Sequence, residues 1–120
     1  MAIYSFEELQ VYQKAYAVSL EVHRRSLEMP SVEQYELASQ MRKASKSICA
    51  NLAEGYGKSK ASPAEFKRYI QVSLGSAEEM VVWIQYCFDL GYITFEQKEE
   101  WLSRYQEIAR MLQGLYKSWR

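Results

Sequence analysis

Histidine occurs once in the 120 residues, as His23, and the chain has only two cysteines, two prolines and five glycines. Each scarcity excludes something. A dinuclear metal site in a helical bundle draws on two Glu-x-x-His pairs, and this sequence has no such pair. Cys49 and Cys87 stand far apart without paired spacing, which argues against a zinc site and against a disulfide-built secreted scaffold. They read as free thiols acting as small hydrophobes. The longest apolar run, Met80-Val81-Val82-Trp83-Ile84, is much shorter than the ~20 residues that cross a bilayer. The opening MAIYSFEELQVYQK has no basic start followed by an apolar core, so no signal peptide is expected and a soluble cytoplasmic protein is the default. Net charge is absent too, with 15 basic side chains against 15 acidic ones.

Nucleophilic and phosphate-loop chemistry fare no better. Gly57-Lys58-Ser59 resembles the end of a phosphate-binding loop, but the earlier glycine of that motif is replaced by Leu52. A Cys–His nucleophile pair has no third group to orient it. No catalytic residue, metal or cofactor is expected, and the chain reads as a non-enzyme.

What is present is helical. With 48% apolar and 14% aromatic residues, 120 positions are enough for one domain with its own core. Ser5-Phe6-Glu7-Glu8, Ser31-Val32-Glu33-Gln34, Ser62-Pro63-Ala64-Glu65 and Thr94-Phe95-Glu96-Gln97 each place a hydroxyl three residues ahead of Glu or Gln, the pattern of a helix N-terminal capping box. Gly55, Gly57 and Gly91 supply C-terminal stops. These signals predict helices over 6–28, 32–55, 63–90 and 95–118. Short connections make neighbours antiparallel, so the fold class is all-α, an up-down-up-down four-helix bundle spanning 1–120.

The periodicity assigns the core. Leu9, Tyr12, Tyr16, Leu20, His23 and Leu27 form one stripe of the first helix, with Val11, Ala15, Val18 and Val22 as a second apolar row beside it. The third helix is apolar all round at Val81, Val82, Trp83 and Ile84. A helix apolar on two sides is buried on two sides. The expected second partner is another copy of the chain, with Val11, Val18, Val22, Val82 and Trp83 at the contact. Gly75, deep in the third helix, predicts close approach of another helix backbone. Asn51 is expected to hydrogen-bond across the bundle.

Charge is segregated although its sum is zero. Residues 1–41 carry a balance of −3 and residues 69–120 one of −2, while 42–68 carry +5. The basic residues of that middle segment are Arg42, Lys43, Lys46, Lys58, Lys60, Lys67 and Arg68. With Tyr56 and Tyr69 among them, they form the electrostatic footprint of a nucleic-acid surface, the cations neutralising phosphates without reading sequence. The alternative is a protein-interaction scaffold whose acidic residues Glu96, Glu99 and Glu100 dock a partner enzyme.

Residues 40–57, from Gln40-Met41-Arg42-Lys43-Ala44 through Asn51-Leu52-Ala53-Glu54-Gly55-Tyr56-Gly57, resemble the signature of the 23S rRNA intervening-sequence proteins. The opening Phe6-x-x-Leu9-x-Val11-Tyr12-x-Lys14-Ala15 is similar as well, as are Phe66-x-x-Tyr69-x-x-x-Ser73-x-Gly75-Ser76-x-x-Glu79 and Leu90-Gly91-Tyr92-Ile93. Cys49 stands where the family often has Pro, Leu52 for Ile and Lys43 for Arg. The resemblance implies a bundle assembling as a ring, typically a homopentamer, in a bacterial cytoplasm. It also implies kinship with the accessory variability determinants of diversity-generating retroelements, which bind nucleic acid and partner a reverse transcriptase.

Overall fold

The computed structural model describes residues 5–120. Its four long helices are α1 (Gln10–Ser26), α2 (Leu37–Gly57), α3 (Pro63–Asp89) and α4 (Phe95–Ser118), and no strand occurs among the described residues. Successive helices pack against each other and α1 also meets α4, which closes the antiparallel bundle into a rod about 45 Å long. None of the described helices is long and apolar enough to cross a membrane.

The caps explain where helices begin. Ser62 and Thr94 accept from the backbone N–H of Glu65 and Gln97, and α3 and α4 start where the sequence places them. Ser5 and Glu8 form a reciprocal capping box, yet it closes only a single 3-10 turn, Phe6–Glu8. Leu9 then takes an extended conformation and buries its side chain, so α1 starts at Gln10 rather than at 6.

The box at Ser31 does not open α2 either. Ser31 is the first residue of another 3-10 turn, Ser31–Glu33, which follows Pro30 and has no side-chain cap. Gln34 is diverted to the end of α1, donating from Nε2 to the carbonyls of Ser26 and Met29 at 2.9 and 3.0 Å. The Ser26 carbonyl otherwise accepts only from the Met29 N–H at 3.2 Å, beyond the regular helix ladder, and the amide ties the turn that follows α1. Glu33 accepts instead from the Leu37 N–H at 3.4 Å, and α2 begins at Leu37, five residues later than the pattern predicts.

Only one glycine works as a left-handed stop. At Gly91 φ is +84°, and the N–H groups of Gly91 and Tyr92 donate back to the carbonyls of Phe88 and Cys87 at 3.0 and 2.9 Å, the paired bonds of a Schellman turn. Gly55 lies inside α2, where a Cβ would stand 2.5 Å from the Cβ of Tyr69. It is there to let α3 come close. Gly75 is the reverse case: a Cβ there would meet nothing within 4 Å, so no helix of its own chain approaches it.

The core is formed by Met41, Ile48 and Leu52 of α2, Phe66, Ile70, Met80 and Ile84 of α3, and Trp101, Tyr105, Ile108 and Leu112 of α4. From α1 it takes Val11, Ala15, Val18 and Val22, all buried, while Tyr16, Leu20 and Leu27 point outward. The two apolar rows of the first helix thus exchange the places expected of them. Val11, Val18 and Val22 are covered by their own bundle and cannot meet another copy. The physical reason is size. β-branched and alanine side chains let α1 sit close to its neighbours, and tyrosines keep their hydroxyls in water at the rim.

Candidate nucleic-acid interface

The α2–α3 turn carries Lys58 and Lys60, both exposed, and α3 adds Lys67 and Arg68 in its first two turns. Because α4 runs antiparallel to α3, its C-terminus returns to the same end of the rod. Trp119 stacks edge-on against Phe66, ring centroids 4.6 Å apart, and packs on Tyr56 at 6.2 Å. Those contacts carry the exposed Arg120 to that end, and the exposed Lys117 lies along α3 by Gln71 and Leu74. Six cations therefore share one end of the bundle.

Aromatic rings organise that end. Lys67 Nζ sits 4.5 Å above the Tyr116 ring, which fixes a side chain on α3 against α4. The Tyr69 ring carries Arg68 at 4.8 Å and Lys58 at 6.0 Å, and its hydroxyl donates to Glu54 at 3.1 Å. Arg68 also makes two 3.2 Å bonds to Glu65, whose carboxyl it holds below its ordinary pKa. Tyr56 and Tyr69 are thus packed by neighbouring rings and cations, and Lys67 and Arg68 are already oriented. Lys60, Lys117 and Arg120 enter no ion pair among the described residues.

The remaining three predicted cations lie elsewhere. Lys43 and Lys46 are exposed on α2, Lys46 at the groove between α1 and α2, and Lys46 is twelve residues, about 18 Å, from Lys58 along the helix axis. Arg42 is turned inward. Its guanidinium donates to the Ser26 hydroxyl at 2.9 Å, to Gln34 Oε1 at 3.3 Å and to the Gln34 carbonyl at 2.8 Å. It ties α2 to the end of α1 and is withdrawn from any phosphate surface, a correction to its sequence-based assignment.

Lys117 and Arg120 were not among the predicted site residues. Sequence distance hides them, since they lie about fifty residues beyond the α2–α3 turn. The available signal was the antiparallel topology itself, which returns the end of α4 to the start of α3.

Other candidate groups are structural. Asn51 does not cross the bundle directly. It donates to the Ser47 carbonyl and hydroxyl on its own helix, and Ser47 meets Ser76 of α3 at 2.9 Å. Burial pushes the Cys49 and Cys87 thiols up to about 11, so neither is a thiolate near neutrality. Cys87 lies 3.5 Å from the Met41 sulfur in the core. His23 has a buried, unpartnered Nδ1; desolvation, then Lys46, Arg42 and Arg24, holds its pKa below the usual imidazole value. No group of three or more His, Cys, Asp or Glu side chains among the described residues could hold a metal ion.

Of the two outward residues expected on α3, Val82 is exposed, and Trp83 is half-buried with its indole donating to Glu79 at 2.8 Å.

An all-α antiparallel four-helix bundle with cations gathered at one end is the class of protein these features define. The chain belongs to the 23S rRNA-intervening sequence protein family, whose model matches residues 7–114. It is similar over 90% of its length to 96% of a crystallised protein of unknown function from the S23 ribosomal protein family of Bacteroides thetaiotaomicron, with a TM-score of 0.81 and 23% identity. That likeness establishes the fold. No curated protein matches the chain.

Proposed function

We propose that this chain is a non-enzymatic, ring-forming nucleic-acid-binding protein of the cytoplasm that holds RNA through the phosphate backbone at the cationic end of its bundle. The observation that carries the reading is the convergence of Lys58, Lys60, Lys67, Arg68, Lys117 and Arg120 from three chain segments onto one end. The ring contacts on Lys58, Lys67 and Arg68 restrict those side chains beforehand, so less conformational freedom is lost on binding. Glu54 and Glu65 lie at the same end, but each is engaged, by Tyr69 and by Arg68. The side chains gathered there are cations, which neutralise phosphates whatever the base, and sequence-independent backbone contacts are the reading they support. A ring of copies, such as the homopentamer the family resemblance implies, repeats this end around one rim and multiplies the field.

Fluorescence anisotropy with labelled RNA and DNA oligomers of unrelated sequence tests the reading. A logarithm of affinity that falls linearly as log salt rises is the expected result. Absence of binding even at low salt overturns it and leaves a protein-docking scaffold as the working alternative.

A further inference from the structure

We infer that the groove between α3 and α4, beside the cationic end, is a slot for one unpaired base of the bound strand, so that the RNA held there is single-stranded. The inference rests on the proposed function and names the form of nucleic acid that function takes.

Side chains of the two helices enclose a cavity of about 100 Å³. Ile70 and Leu112, both buried, make its floor, and the half-buried Leu74 and Tyr116 make its walls. The exposed Gln71, Gln113 and Lys117 form the rim. Pockets that take a whole small molecule run to roughly 300–1,000 Å³, so this one suits a single flat ring system and little more. Floor and walls are apolar. The rim is not, for each glutamine carries both donors and an acceptor, and neither amide has a partner among the described residues. An apolar slot edged by free amides matches a nucleobase, whose faces stack on rings and whose edge is a row of donors and acceptors.

Position ties the slot to the cations. Gln71 follows Lys67 by four residues, one turn of α3, and the Lys67 ammonium sits 4.5 Å above the Tyr116 ring. Lys117 follows Tyr116 directly and stands at the mouth. A nucleotide whose base fills the slot therefore leaves its phosphate beside two cations. A glutamine amide can turn over and offer either its oxygen or its nitrogen, so the slot accepts any base and adds no sequence preference. What it rejects is a base already paired and stacked in a duplex. Cations alone favour the more densely charged duplex, so slot and charge pull in opposite directions.

Anisotropy at low salt tests this with labelled oligouridine and a fully paired RNA duplex of the same length. The wild type should bind the single strand several-fold more tightly. Gln71→Leu with Gln113→Leu in one chain closes the rim with apolar side chains and leaves the charge unchanged. Both positions are exposed and leucine suits a helix, so circular dichroism should report unchanged helix content. That variant should lose about tenfold in single-strand affinity and keep its duplex affinity. Its salt slope should not move, because a base in an uncharged slot releases no counterions. Photocrosslinking of iodouridine-substituted RNA to the wild type needs no substitution in the protein, and it should label the peptide that contains Tyr116. Single strand bound no more tightly than duplex, with an indifferent variant and no label at Tyr116, overturns the inference and leaves the phosphate reading standing. A wild type that binds neither RNA overturns both.

Discussion

The guanidinium of Arg42 closes on Gln34 twice, reaching its backbone carbonyl at 2.8 Å and its side-chain oxygen at 3.3 Å. The amide nitrogen of that glutamine meanwhile donates to the last carbonyl of α1, that of Ser26, and to the Met29 carbonyl just beyond it. One arginine therefore supports the residue that ends one helix and delays the next. Arg42→Ala should lower unfolding stability by about 1.5–3 kcal/mol, the range for hydrogen bonds to a charged group. Urea denaturation reads that loss, and RNA affinity measured on the folded variant should not change. A fall in affinity with stability intact would return Arg42 to the binding surface.

Gly55 and Gly114 differ in what lies beyond the missing side chain. At Gly55 a Cβ would stand 2.5 Å from Tyr69 Cβ, an atom fixed to the α3 backbone. Gly55→Ala should force the two helices apart and cost about 1–3 kcal/mol. Gly114 is exposed on α4 with nothing within 4 Å, so Gly114→Ala should stabilise by up to about 1 kcal/mol. Thermal melts of the two variants should shift in opposite directions.

Alkaline pH should weaken the fold through its thiols. Both cysteines titrate near 11 in the folded chain because burial disfavours the thiolate, against about 8.5 in an unfolded one. Between those values the unfolded state holds fewer protons, so stability is full below about pH 8.5 and falls as pH rises toward 11. Urea midpoints across that window should decline, and below about pH 10, before the buried tyrosines contribute, the decline should flatten in a Cys49→Ala, Cys87→Ala variant. An equally steep decline in the variant would assign the effect to other groups.

Much of the fold was legible because its signals are local. The hydroxyls of Ser62 and Thr94 cap their helices within three residues, and pattern alone places both starts correctly. The box at Ser31 misled because Gln34 serves two distant carbonyls instead, a choice settled by tertiary geometry. On α1 the two apolar rows are both plausible cores. Periodicity gives the stripe but not its phase, and only packing decides that Val18 is inside and Tyr16 outside. The candidate site was half legible. Lys58, Lys60, Lys67 and Arg68 are near neighbours in sequence, whereas Lys117 and Arg120 join them only through the antiparallel return of α4.

The account stands most directly on the salt dependence of RNA binding, measured by anisotropy for the wild type and for a Lys60→Ala, Lys117→Ala variant. Six phosphate contacts to a single strand predict a log–log slope of about −4, and each cation removed should reduce it by about 0.7. The variant slope should then be shallower by about 1.4 for every sequence tried. An unchanged slope and affinity in the variant would contradict the placement of the RNA site at this end of the bundle.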